Sequence, residues 1–128
     1  HLKEVLPIAD RVGVDIAVNQ VEFHPYLYQK ELLEFCEDQD ILLEAYAPLA
    51  KGSVVGDSVL GRVGEDHGKS ATQVALRWGL QHGVVVIPRS SDKKHISDNI
   101  DVFDFELSDE AVQRIDNIDK SRRSYNLA

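Results

Sequence analysis

The chain contains no methionine, one cysteine, one tryptophan and four prolines. With a single thiol no internal disulfide can form, and the helical apolar stripe of Leu32-Leu33-Glu34-Phe35-Cys36 assigns Cys36 to packing rather than reactive chemistry. No apolar run approaches the roughly 20 residues of a membrane span. The opening His1-Leu2-Lys3-Glu4-Val5-Leu6-Pro7 lacks an apolar core of secretory type, so the expectation is a cytoplasmic protein. The missing initiator methionine adds the expectation of a chain processed or excised from something longer. Positive charge is scarce as well: 14 Lys and Arg against 22 Asp and Glu leave a net charge of −8, which excludes a general affinity for nucleic acid. Any anion site must therefore be local. Low-complexity segments, linkers and close repeats are absent, so a second domain is not expected.

The composition, 43% hydrophobic and 28% charged over 128 residues, is that of one soluble globular domain. Leu2 to Val12 has apolar residues at helical spacing and stops at Gly13. Asp15 to Glu22 reads as a strand, Gln29 to Asp38 as a helix, Ile41 to Ala47 as a second strand, and Val84 to Ile87 as a third. Each strand runs into a proline. Between the second and third lie a loop with Gly52 and Gly56, a short helix near Val59 to Glu65 and a stronger one from Ser70 to Gln81. A helix ending about Ile100 and a final one capped by Ser108 complete the order, with the tail Ser121 to Ala128 expected to be polar and mobile. This is an α/β alternation. Right-handed crossovers place every strand end on one rim, which gathers Asn19, Gln20, Glu22, His24, Tyr46, Leu49, Arg89 and Ser90.

Val84 to Asn99 is the most informative stretch. Four apolar, mostly β-branched residues ended by Pro88 read as a strand covered on both faces. Ser91 or Asp92 can cap a helix whose first turn carries Lys93, Lys94 and His95. Free N–H groups of that helix, the Ser90 and Ser91 hydroxyls and the Arg89 guanidinium would then converge on an anion. The same pattern also fits a strand, a cap and a solvated basic helix face that bind nothing.

Asn19-Gln20-Val21-Glu22-Phe23-His24-Pro25-Tyr26-Leu27, Ala45-Tyr46-Ala47-Pro48-Leu49, Gly68-Lys69-Ser70-Ala71 with Leu76-Arg77-Trp78, and Ile87-Pro88-Arg89-Ser90 with Asp98-Asn99 closely resemble the aldo-keto reductases. The match runs on from Asn99 to Ser108 and covers nearly the whole chain. What it resembles is only the carboxyl-terminal part of that family, whose fold is an eight-stranded (β/α)8 TIM barrel of about twice this length or more. The fold expected is thus α/β: a partial (β/α)8 barrel of about three parallel strands with flanking helices, residues 1–128 forming a single incomplete barrel domain.

The resemblance implies a nicotinamide dinucleotide, NADP with NAD as the alternative, lying across the rim without a Rossmann glycine motif. None is present. By similarity, Gln20 would hold the nicotinamide carboxamide and Tyr46 would stack on its ring. The physics agrees, since an amide pairs with both polar atoms of a carboxamide and a flat aromatic is a platform. Leu49 and the Lys51-Gly52 loop would follow the pyrophosphate, Arg89 and Ser90 would meet the phosphate of the adenosine ribose, and Asn99 the adenine. On the residues alone, Gln20 can equally be an internal strand amide and Tyr46 a core aromatic. Family members preferring NADP have lysine at Arg89, arginine at His95 and glutamate at Asp98. Arg89 can still grip a phosphate with two prongs, but histidine is mostly uncharged near pH 7, so one full charge is missing. Lys94 is a partial substitute. The expectation is a weakened preference for NADP over NAD. His24 belongs to the His-Pro turn and is given a structural role; no metal site is indicated.

The family's catalytic tetrad of Asp, Tyr, Lys and His comes from strands earlier than any segment matched here, and Tyr26, Tyr28 and Tyr125 have no claim to it. The expectation is the cofactor-binding part of an NAD(P)H-dependent carbonyl reductase, inactive by itself, with no catalytic residue assigned. A nucleotide- or phosphate-binding half-barrel without turnover, and a purely structural remnant, are the other readings. Three parallel strands cannot close a barrel, and their unpaired edges invite pairing with another chain. A homo-oligomer, or pairing with the rest of the barrel, follows.

Overall fold

In the computed structural model, residues 1–125 are described, and residues 126–128 of the expected mobile tail lie outside them. The elements are α1 (Leu2–Val12), β1 (Val18–Glu22), α2 (Lys30–Asp38), β2 (Leu42–Tyr46), a 3₁₀ segment (Ala50–Gly56), α3 (Ser58–Glu65), α4 (Ala71–Gln81), β3 (Val85–Val86), α5 (Lys93–Ile100) and α6 (Asp109–Asp116). Their limits follow from local chemistry. Gly13 closes α1 at φ 69°, a left-handed geometry that suits glycine, and its N–H bonds the carbonyls of Ala9 and Asp10. Asp57, Ser70, Asp92 and Ser108 each accept backbone N–H bonds at the starts of α3, α4, α5 and α6. Ser70 and Gln73 complete a reciprocal capping box.

The sheet is parallel with order β1-β2-β3. Val18 pairs with Leu42 and Glu22 with Tyr46, while Glu44 pairs with Val85. Side chains alternate across the pleat, so one face carries Leu43, Ala45, Val84 and Val86 against the helices. Leu43, Ala45 and Val84 are buried, and Gly79 of α4 lies so near β3 that a Cβ there would stand 2.9 Å from Val86 Cγ1. Behind that face Trp78 stacks on Phe23 at 5.2 Å, and its Nε1–H donates to Asp116 Oδ1 at 2.7 Å, tying α4 to α6. Cys36 is buried as a packing thiol.

The other face is open: Val18, Leu42, Val85 and Ile87 are 47%, 45%, 36% and 40% exposed. This corrects the reading of Val84 to Ile87 as a strand covered on both faces. A β-branched run signals burial of one side here because β3 is an edge and nothing described packs on its second side. Glu22 is the exception on that face. It is fully buried because Ser124 and Tyr125 cross it, their backbone N–H groups donating to the Glu22 carboxylate. Further back, the N–H groups of Lys120 and Arg122 bond the Tyr26 carbonyl at 3.2 and 3.0 Å. The described part of the tail is thus fastened down, where its polar composition suggested mobility. Among the described residues no helix is long and apolar enough to cross a membrane.

Candidate functional site

The carboxyl ends of β2 and β3, the loop after β2 and the starts of α4 and α5 surround a cleft of about 680 Å³, within the range of about 300–1,000 Å³ usual for small-molecule and cofactor sites. Tyr46, Leu49, Arg89, Ser90, His95, Asp98 and Asn99 all line it, so seven of the eight expected site residues come together around one space. Gln20 is not among the lining residues. Its side-chain Nε2–H donates to Glu44 Oε1 at 2.5 Å across the β1–β2 pair, on the open face of the sheet. Position on the strand explains this: Gln20 is two residues short of Glu22, which is in register with the rim residue Tyr46.

The backbone around the cleft is unusual. Ala47, Ala50 and Lys51 have φ of 50°, 48° and 55°, and Gly52 has 85°. Three non-glycine residues in left-handed geometry within five positions are costly and are found where surrounding structure fixes a functional loop. Lys51, Gly52 and Ala47 face the same cleft, so the strained turn forms its wall.

Aromatic and cationic groups share the lining of the cleft. Tyr46 meets Tyr125 edge to face at 6.0 Å, and Lys51 Nζ lies 3.7 Å above the Tyr125 ring. Arg89 and Lys94 bring further positive charge to the lining, which also holds Ser70, Thr72 and Ser90. The start of α5 takes one of the two expected caps. Asp92 rather than Ser91 is its cap, accepting from His95 N–H at 3.0 Å, and its own N–H donates to Ser90 Oγ at 3.1 Å. The His95 N–H holds the Asp92 carboxyl below its ordinary value, with lesser help from Lys94. The His95 N–H, one of the first-turn groups counted toward an anion, is therefore committed to a carboxylate.

Beneath the rim sits a buried polar pair. His24 Nε2–H donates to Glu22 Oε1 at 2.8 Å, with both side chains fully buried. Burial alone would raise the Glu22 carboxyl, but bonds from His24, Ser124 and Tyr125 outweigh it and hold the group below its ordinary value. Burial pushes His24 down despite the carboxylate beside it, so the ring is neutral, and its Nδ1 has no partner among the described residues. Such a pair builds a scaffold.

Sequence reasoning missed Tyr125, Thr72 and Val55 as cleft residues. No local signal marks Tyr125, since it reaches the cleft through contacts spanning 103 residues. The apolar spacing from Ser70 to Gln81 announced α4, but that its start lines the same cleft as Arg89 depends on the crossover.

The parallel strands, outer helices and rim cleft define the fold as part of a TIM barrel with a cleft at its carboxyl face. The model of the aldo/keto reductase family matches residues 2–120, and the chain belongs to that family. Glyoxal reductase of Bacillus subtilis is 50% identical over 123 residues, 96% of this chain and 44% of that protein. Prostaglandin F synthase 2 of Bos taurus is 42% identical over 120 residues, 85% of this chain and 37% of its own length. Among solved structures, a Gox0644 variant in complex with NADPH superposes with a TM-score of 0.87 at 39% identity, covering 93% of this chain and 44% of that one. Aldose reductase from Schistosoma japonicum gives a TM-score of 0.90 at 29% identity, with 98% and 41% covered. The chain thus spans less than half the length of these relatives.

Proposed function

We propose that this chain supplies the nicotinamide-dinucleotide cradle of a carbonyl reductase, with NADP as the cofactor. The observation that carries this reading is one cleft lined both by the aromatic ring of Tyr46 and by the cations Lys51, Arg89 and Lys94, a set that suits a ligand combining a flat ring with phosphates. Its volume and donor set fit such a molecule. When bound, the dinucleotide supplies a hydride. The chain's own residues bind and orient it: Tyr46 presents a ring face, Leu49 and Lys51 follow the diphosphate, Arg89 and Ser90 meet the ribose phosphate, and Asp98 and Asn99 flank the adenine. Gln20 reaches the carboxamide after exchanging its bond to Glu44. His95 lends less charge than arginine would, so NADP is favoured over NAD only modestly. NADPH complexation by a structural relative supports the reading.

Carbonyl reduction also needs a proton donor, and our reading places that donor outside this chain, which by itself binds cofactor without turning over a carbonyl substrate. The open sheet face supports this, since Val18, Leu42 and Val85 form an apolar surface of the kind a barrel closes over. A second copy or the remaining barrel strands would cover it.

The test is a fluorescence titration of NADPH into the wild type and Arg89→Ala. Saturable binding, weakened at least about tenfold by the loss of a charge-assisted contact, is the expected result. Equal binding by both proteins would remove the phosphate role of Arg89. Aldehyde reduction by this chain alone would overturn the division of labour.

A further inference from the structure

We infer that Tyr125 is a positioning residue that holds the Lys51 ammonium at the cleft for the diphosphate of the bound dinucleotide, an inference that rests on the function proposed above. Glu22, fully buried and fixed by His24 at 2.8 Å, accepts from the backbone N–H groups of Ser124 and Tyr125, the latter at 3.3 Å. Two backbone bonds to one immobile carboxylate set both the place and the direction of residue 125. Its ring then lies against Tyr46 at 6.0 Å with Lys51 Nζ 3.7 Å above its centre.

Lys51 makes no salt bridge among the described residues, although the chain carries a net charge of −8. The partner it does have is the one that best preserves its usefulness. A carboxylate would neutralise the ammonium and occupy its protons. A ring face holds the charge by its quadrupole and leaves the N–H donors and the net charge available to an anion. The left-handed turn at Ala50 and Lys51 directs the stem toward the ring, so strain in the loop and the anchored tail fix the same group. Without the ring, a flexible four-carbon stem would have to be ordered by the ligand itself, at a cost in affinity.

The experiment measures NADPH affinity, by the fluorescence of the dinucleotide, for the wild type, Tyr125→Phe, Tyr125→Leu, Lys51→Gln and the Lys51→Gln/Tyr125→Leu pair. Tyr125→Phe keeps the ring and is expected to bind as the wild type does. Tyr125→Leu is expected to lose about fivefold, the scale of an exposed-to-partly-desolvated cation–π contact. In the Lys51→Gln background Tyr125→Leu should have no further effect, because its action runs through the ammonium. Equal losses in both backgrounds would show a wall rather than a positioning role and overturn the inference. Tighter binding by Tyr125→Leu would overturn it too, by showing that the ring obstructs the cleft. Arg89→Ala separates the two levels of the argument. If it weakens binding while Tyr125→Leu does not, only the role of Tyr125 fails; if neither matters, the dinucleotide site itself fails. Melting temperatures of all variants, expected within a few degrees of the wild type because Tyr125 is 41% exposed, check that the fold is intact.

Discussion

Arg89 is the exposed guanidinium at the end of β3, and its chemistry separates the two candidate cofactors. NADPH carries a ribose phosphate that NADH lacks, so a fork of donors at this position should discriminate between them. The ratio of NADPH to NADH affinity is expected to fall to near one in Arg89→Ala, and to be partly retained in Arg89→Lys, when both dinucleotides are titrated under the same salt. A second residue-scale prediction concerns Glu22 and His24. Both titrate below their ordinary values of 4.5 and 6.5 in the folded chain, so the unfolded chain binds more protons as the solution is acidified. Their contribution is fully present above pH 6.5. It fades first through His24 and then through Glu22 as pH falls through each lowered value. Hydrogen exchange at the Ser124 and Tyr125 amides is expected to lose protection on acidification toward pH 3, and to be fast already at pH 7 in Glu22→Ala. Protection that persists in Glu22→Ala would show that the tail is held by something else.

At the scale of elements, α4 and its neighbours carry most of the fold. Gly79 brings α4 against β3, with space for a Cβ only 2.9 Å from Val86 Cγ1. Gly79→Ala is expected to destabilise the chain by about 1–3 kcal/mol through overpacking, measured by urea denaturation, despite the better helix propensity of alanine. Asp57 is a second such point. It caps α3 through the N–H groups of Val59 and Leu60 and accepts from the Tyr26 hydroxyl at 2.9 Å, a phenol whose pKa burial and this bond push up to about 12. Loss of a cap of this kind costs about 1–2 kcal/mol, so Asp57→Ala should lower the melting temperature by several degrees. Elements were legible in the sequence where they are announced by local chemistry: the Gly13 stop, the Ser108 cap, the apolar spacing of α2 and α4. Strand limits were not. β1 begins at Val18 rather than Asp15, and β3 shrinks to Val85–Val86, because ladder length depends on where the neighbouring strand lies. Seven residues that line the cleft were legible through motif positions, whereas Tyr125 was hidden because only the folded chain brings the tail across Glu22.

On the scale of the whole molecule, the sheet has two outer strands, and among the described residues one face is packed on helices while the other leaves Val18, Leu42, Val85 and Ile87 exposed. We propose that a second copy covers this face, so sedimentation velocity is expected to show mass rising with concentration. Val18→Lys together with Leu42→Lys, on the open face and far from the cleft, should return the chain to a monomer without changing NADPH affinity. A monomer at all concentrations in the wild type would mean that the open face is tolerated in water. The central claim is that one cleft, from Tyr46 to Asn99, holds a dinucleotide across the rim. Amide chemical-shift mapping on addition of NADPH tests it most directly. The expected result is a saturable set of shifts at Leu49 to Gly52, Arg89, Ser90, Asp98, Asn99 and Tyr125, with α1 and α2 unmoved. Shifts confined to the open sheet face, or none at millimolar NADPH, would contradict it.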